Sequence, residues 1–310
     1  MLTTDTFLTT VYVEVDDFCK AHLAPEHHPG PAASLTRSEV ITLALVGQWG
    51  RFASERAFYR YAARQFKGAF PRLPDRTQFN RLVRQHEPGI VAFCLHLAER
   101  LGAAGGGAAY EALDSTGVPT RNAKRRGLGW LPGVADISWS NHLGWYEGFH
   151  LLTAVTPEGV ITGFGFGPAS TNDHALAETF FALRRTPAAA VPSAGRPAAG
   201  CYVADTGFVG AQPHRRWREA YGARVLCPPK RTGPAPWPKW LRRWVASLRQ
   251  IVETVHERLQ HTFRLERERP HALSGFQARL AATTALHNFC IWLNRQLGRP
   301  TLAFADLVDW

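Results

Sequence analysis

Residues 101–109, LGAAGGGAA, divide this sequence into two different grammars. A run this small and flexible can neither anchor a core nor sustain a helix or strand, so it reads as a linker. Upstream of it, apolar residues recur at helical spacing. LTTDTFLTTVYVEVDDFCKAHL is amphipathic, although the β-branched residues between Val11 and Val15 lower its helix propensity. Three prolines in PEHHPGPAAS break the pattern. Thr36 and Glu39 then make the pair of a capping box, which starts a helix at Thr36. SERAFYRYAARQF sets Phe58, Tyr61 and Phe66 among Arg56, Arg60 and Arg64, and Asp75 is placed to cap the next helix. Residues 1–105 therefore read as an all-helical unit with basic edges, resembling the helix-turn-helix modules that sit in DNA grooves. An ordinary solvated face is the competing reading of the same arginines.

Downstream, short strands replace helical periods. YEALDSTGV reads as a strand, and GFHLLTAVTPEGVITGFGFGPA as a hairpin turning at TPEG. TNDHALAETFFALRR is a helix capped by Asn172 or Asp173. GCYVADTGFV is a strand, PHRRWREAYG a helix ending at Gly222, ARVLCPP a last strand, and long helices follow. This order describes a mixed sheet covered by helices, an α/β layer architecture spanning residues 106–310.

Composition narrows the partners. The 310 residues carry 36 Lys and Arg against 25 Asp and Glu, a net charge of +11, which points to a polyanion such as DNA. With 45% hydrophobic residues the chain can bury a core, yet no apolar run is long enough for a membrane span. The opening residues lack the basic and apolar regions of a secretory signal. Five scattered cysteines fit reduced thiols, so the expected location is cytoplasmic and no membrane partner is expected.

The chemistry turns on carboxylates at the ends of elements. Asp114 follows YEAL and precedes Ser-Thr-Gly; Asp205 follows CYVA and precedes Thr-Gly. Aspartate is a poor strand residue and is rarely buried without a partner. Each could simply bind its own turn backbone. Two in matched contexts point instead to a shared site, where mutual repulsion calls for a divalent cation. In WLRRWVASLRQIVETVHERLQHTF, Leu248, Ile251, Val252, Val255 and Leu259 make an apolar stripe. Arg249, Glu253, His256 and Gln260 share the other face, and Glu257 lies one turn past Glu253, so periodicity does not choose between the two acids. Asp136, Asp173 and Glu147 read as bystanders. The expectation for Trp130, Trp139 and Trp145 is that at least two pack in the core.

ALDSTGVPT, YVADTGFVG and LRQIVETVHERL, followed by GFQARLAATTALHNFCIWLNR, resemble the DDE transposases of bacterial insertion sequences. The resemblance runs from about Leu35 to Leu297. It implies an RNase-H-like fold, with a mixed five-stranded sheet flanked by helices behind an N-terminal helical DNA-binding domain. It also implies an Asp-Asp-Glu triad of Asp114, Asp205 and Glu253, holding two Mg²⁺ ions (Mn²⁺ as substitute) for strand cleavage and transfer. Arg249 and Glu253 match the family's Tyr-x-x-Arg-x-x-x-Glu-x-x-x-x-x-x-Lys pattern, favouring Glu253 over Glu257. Ala246 and Gln260 depart from it at the Tyr and Lys positions. The implied partners are DNA, as element terminal inverted repeats and target, and a second copy of the chain on paired ends. Arg121, Lys124, Arg125, Arg126, Lys230, Arg231 and Arg249 are the expected DNA contacts. A nuclease that hydrolyses DNA without joining it, and a DNA-binding protein that has lost catalysis, are the alternatives.

Overall fold

The computed structural model describes residues 1–26, 33–102, 108–124, 129–185, 200–230, 236–267 and 269–310. The chain divides into two compact units, Met1–Cys94 with Leu259–Trp310, and Leu95–Arg258.

The first unit opens with a two-residue strand, β1 (Leu2–Thr3), and α1 (Thr4–His22). Phe7, Leu8, Val11, Val15, Phe18 and Cys19 form the buried stripe of α1, so packing overrides the weak propensity of its β-branched residues. α2 (Arg37–Val46) starts on the expected capping box: the Thr36 amide donates to Glu39 Oε2 at 2.6 Å, and the Glu39 amide to Thr36 Oγ1 at 3.3 Å. α3 (Glu55–Gln65) buries Phe58 and Ala62 while Arg56, Arg60 and Arg64 stay exposed. Asp75 caps α4 (Arg76–Gln85) by accepting from the amides of Thr77 and Gln78, and α5 (Glu87–Arg100) follows.

The second unit is built on one sheet of six strands. Its central strand, β2 (Glu111–Asn122), continues well past the turn expected after Asp114. β3 (Asp136–Ser140) and β4 (Gly144–Val155) form a hairpin, and β4 pairs antiparallel along β2. β5 (Ile161–Pro168) takes the remaining outer edge of β4, so β3 and β5 lie end to end along it. The turn between β4 and β5 closes where Gly159 adopts φ +90°. After α6 (Asp173–Arg185) comes β6 (Cys201–Val203), parallel to β2; after α7 (Ala211–Tyr221) comes β7 (Arg224–Leu226), parallel to β6. Three antiparallel strands continued by two parallel ones make the RNase-H-like arrangement.

β3 is the strand that sequence reading missed. Its Ile137 and Trp139 face solvent, so no buried alternation marked it. The sheet packs on α6 and α7 through Leu113, Leu152, Phe180, Phe181, Tyr202, Phe208 and Trp217. At the base of β2, the buried Glu111 carboxylate accepts from Arg184 at 2.7 Å, and Arg184 also donates to the Tyr202 hydroxyl at 2.9 Å. α8 (Lys239–Glu257) packs on β2, β4 and β6 of this unit and ends in a π-helical turn at Arg258–Thr262.

The chain then returns to the first unit as α9 (Leu273–Gln296), and β8 (Val308–Asp309) pairs with β1. Residues 259–310 thus group with the N-terminal helices, a division different from a break at residues 105 and 106. The N-terminal helices do not close a core alone. Phe7 packs edge-on against Phe289, and Trp49 against Phe263.

Candidate active site

Asp114 and Asp205 are brought together by strand register. β2 and β6 run parallel with Ala112 opposite Val203, and each acid stands two residues beyond that pair, Asp114 still within β2 and Asp205 in the turn that follows β6. Pairing between these strands ends at Ala112 and Val203, at the carboxyl end of β6, the side on which open α/β sheets place their binding sites. Both acids also bind their own backbone. Asp114 Oδ1 accepts from the Ser115 amide at 2.9 Å, and Asp205 Oδ1 from the Gly207 amide at 2.7 Å, capping the 3₁₀ turn Thr206–Phe208. Bound to its own turn, Asp205 still lies near enough to Asp114 for its charge to raise the Asp114 carboxyl.

Glu253, the third acid that the resemblance implies, lies on α8, whose orientation departs from the simple two-face reading. Val245, Val252, Val255 and His256 are buried, so His256 leaves the polar face and turns toward the sheet. Its Nε2 lies 2.8 Å from the hydroxyl of Thr153, the register partner of Asp114. Burial first, then the positive charge of Arg249 and the neighbouring His150, push the His256 imidazole down to about 3, so it stays neutral near pH 7.

Arg249 occupies the centre of the site. Its Nη2 is 3.1 Å from Asp114 Oδ2 and 3.6 Å from Glu253 Oε1, while the Glu253 side chain is 60% exposed. Glu257, one turn on, is exposed beside Arg258. Burial raises the Asp114 carboxyl to about 6; Arg249 opposes the shift, Asp205 and Glu253 add to it, and the Ser115 amide also opposes it. Among the described residues no three acids, histidines or cysteines converge tightly enough to hold a metal ion. A guanidinium stands between two of the acids instead.

Sequence reading placed Asp173 among the distant control acids; the structure brings it to Ser115, the neighbour of Asp114. Asp173 opens α6 and its Oδ1 accepts the Ser115 hydroxyl at 2.6 Å. Asn172 caps the helix, accepting from the Ala175 amide at 2.9 Å, which decides between the two candidate caps. The TNDH segment carried the signal, but spacing alone could not bring it to β2.

The expected basic contacts fare unevenly. Arg121 is held in an ion pair with Glu147 at 2.6 Å across β2 and β4, and Arg249 turns inward to the acids. Both arginines are engaged within the protein. Lys124 is exposed, and so is Lys230, which lines a groove of about 1080 Å³ with Thr206, Trp237, Lys239, Arg242 and Arg243. Arg125, Arg126 and Arg231 lie outside the described residues. At least two of the three tryptophans were expected in the core, yet Trp139 and Trp145 are cross-strand partners 54% and 58% exposed. Among the described residues no helix is long and apolar enough to cross a membrane.

No curated protein matches the chain. A solved structure, "Crystal structure of a pre-cleavage Mos1 transpososome", aligns over 87% of this chain and 83% of its own, at 13% identity and a TM-score of 0.23. The family described as the transposase DDE domain matches residues 112–289, more than half of the sequence and a span that includes all three acids. The chain belongs to the transposase DDE domain family.

Proposed function

We propose that this protein is an insertion-sequence transposase that binds the terminal inverted repeats of its element. It cuts the DNA strand there and joins the freed end to target DNA, using Asp114, Asp205 and Glu253. The observation that carries this reading is that Arg249 pairs with both Asp114 and Glu253, while Asp205 lies near enough to Asp114 for its charge to raise the Asp114 carboxyl.

The donor set fits a magnesium site, with manganese as substitute. All three donors are carboxylate oxygens, the hard ligands Mg²⁺ prefers, and Asp114 holds a proton up to about pH 6 where a cation would offset its neighbours. Bound there, Mg²⁺ would activate the attacking oxygen and stabilise the leaving one. The protein's own part is to hold the carboxylates, with Asp114 central and Asp205 and Glu253 flanking. No side-chain nucleophile is needed, and the Ser115 hydroxyl is directed at Asp173. Lys124 and the Lys230 groove supply charge for the DNA backbone, and salt weakens such contacts steeply. Two ends per element and one acid site per chain call for two protomers acting together on paired ends.

The test is Mg²⁺-dependent cleavage and joining of a duplex carrying the inverted repeats that flank the gene. Asp114→Ala, Asp205→Ala and Glu253→Ala lose both steps and keep end binding, while Glu257→Ala keeps most activity. Cleavage without joining would make the protein a nuclease, and binding without cleavage a DNA-binding protein that has lost catalysis.

A further inference from the structure

We propose that Asp173 is a positioning residue for strand cleavage, tying the strand that carries Asp114 to the turn that carries Asp205. The proposal rests on the triad reading above.

Asp173 is free for this task because Asn172 already caps α6. One carboxylate oxygen, Oδ1, accepts the hydroxyl of Ser115, the residue next to Asp114, at 2.6 Å. The same oxygen lies 3.7 Å from His150 Nε2, and that ring is oriented by its Nδ1 at 2.8 Å from the Thr171 carbonyl. The other oxygen, Oδ2, packs on Gly207. A Cβ at Gly207 would stand 2.7 Å from Asp173 Oδ2 and 2.9 Å from Asp205 Oδ1, so both carboxylates press on one backbone position. The amide of that glycine is the donor to Asp205. Asp173 therefore touches the immediate support of each aspartate, Ser115 beside Asp114 and Gly207 in the Asp205 turn. Removing it leaves the Ser115 hydroxyl without its acceptor and opens space beneath the Asp205 turn. The two acids then lose their fixed separation, and a cation shared between them is held less tightly.

The experiment uses the full chain and reads Mn²⁺ affinity by calorimetry without DNA, beside the Mg²⁺ concentration for half-maximal cleavage. Asp173→Ala weakens Mn²⁺ binding about 10- to 100-fold, the range for groups that orient metal ligands, and raises the Mg²⁺ requirement similarly. Its melting temperature and duplex binding stay near wild type. Ser115→Ala acts in the same direction, and the double variant is no worse than Asp173→Ala because the two share one bond. Asp173→Asn keeps an acceptor for Ser115 and restores most of the affinity; with Ser115→Ala it also carries the test should Asp173→Ala fail to fold. Wild-type Mn²⁺ affinity in Asp173→Ala overturns the proposal. So do effects of the two substitutions that simply add, or an Asp173→Asn as weak as alanine. Asp114→Ala run in parallel separates the two readings. If it still cleaves, the triad falls and this proposal with it; if it is inactive beside a wild-type Asp173→Ala, this proposal falls alone.

Discussion

Arg249 Nη2 lies 3.1 Å from Asp114 Oδ2, so a guanidinium from the helix of the third acid neutralises the buried strand acid. The pairing is only 15–17% exposed, and Arg249 reaches Glu253 as well. A buried carboxylate group with no cation nearby is unfavourable, and Arg249 is the positive charge the chain itself places there. Arg249→Gln should therefore be less stable than wild type without divalent ions, by about 1–3 kcal/mol. It should also gain more from added Mg²⁺. Thermal unfolding with and without Mg²⁺ measures both, and equal shifts for the two proteins would refute the assignment.

Acid pH acts through Asp114. An unfolded aspartate ionises near 3.8, whereas folded Asp114 keeps its proton to about 6, chiefly through burial. Its stabilising contribution is thus complete below about pH 4 and is lost as pH rises through 6. Asp114→Asn, which cannot ionise, should be more stable than wild type at pH 8 by about 1–3 kcal/mol. The difference should vanish below pH 4. Urea titrations at the two pH values decide it, and a less stable Asp114→Asn at pH 8 would contradict the argument. His256, neutral down to about 3, should leave the activity profile between pH 5 and 8 unchanged.

Two glycines separate packing from catalysis. At Gly207 the atoms that a Cβ would meet are carboxylate oxygens of Asp173 and Asp205; at Gly148 it would meet the Val118 carbonyl at 2.1 Å. Gly207→Ala should fold and lose about 100-fold in cleavage rate through displaced acids. Gly148→Ala should lose the β2–β4 pairing and hence the fold. Melting curves and cleavage rates on both variants give the comparison; similar damage to stability in the two would count against it.

The Glu111–Arg184 pair predicts non-additivity. Arg184→Met alone leaves a buried carboxylate beside Tyr202 and Thr162, and should cost about 3–5 kcal/mol. Adding Glu111→Gln should recover part of that loss. A double variant as unstable as the sum of the singles would show that the groups do not interact.

The local chemistry of the elements was legible in the sequence because caps and periodicity act over a few residues. Thr36 with Glu39, Asp75 and the turn containing Gly159 all stand where short-range rules put them, whereas β2 outruns the turn expected after Asp114 and β6 stops short of Asp205. The choice of Glu253 over Glu257 came from the resemblance; in the structure Glu253 pairs with Arg249 and Glu257 with Arg258. β3 escaped because its apolar residues face outward, and His256 because α8 turns a wider arc to the sheet than its aliphatic stripe implied. Tertiary structure alone decided that residues 259–310 join the N-terminal helices, that Arg121 and Arg249 pair with acids, and that Asp173 meets Ser115. Each of these joins residues far apart in the chain. Such contacts are set by sheet register and helix packing, which leave no periodic trace in a single sequence.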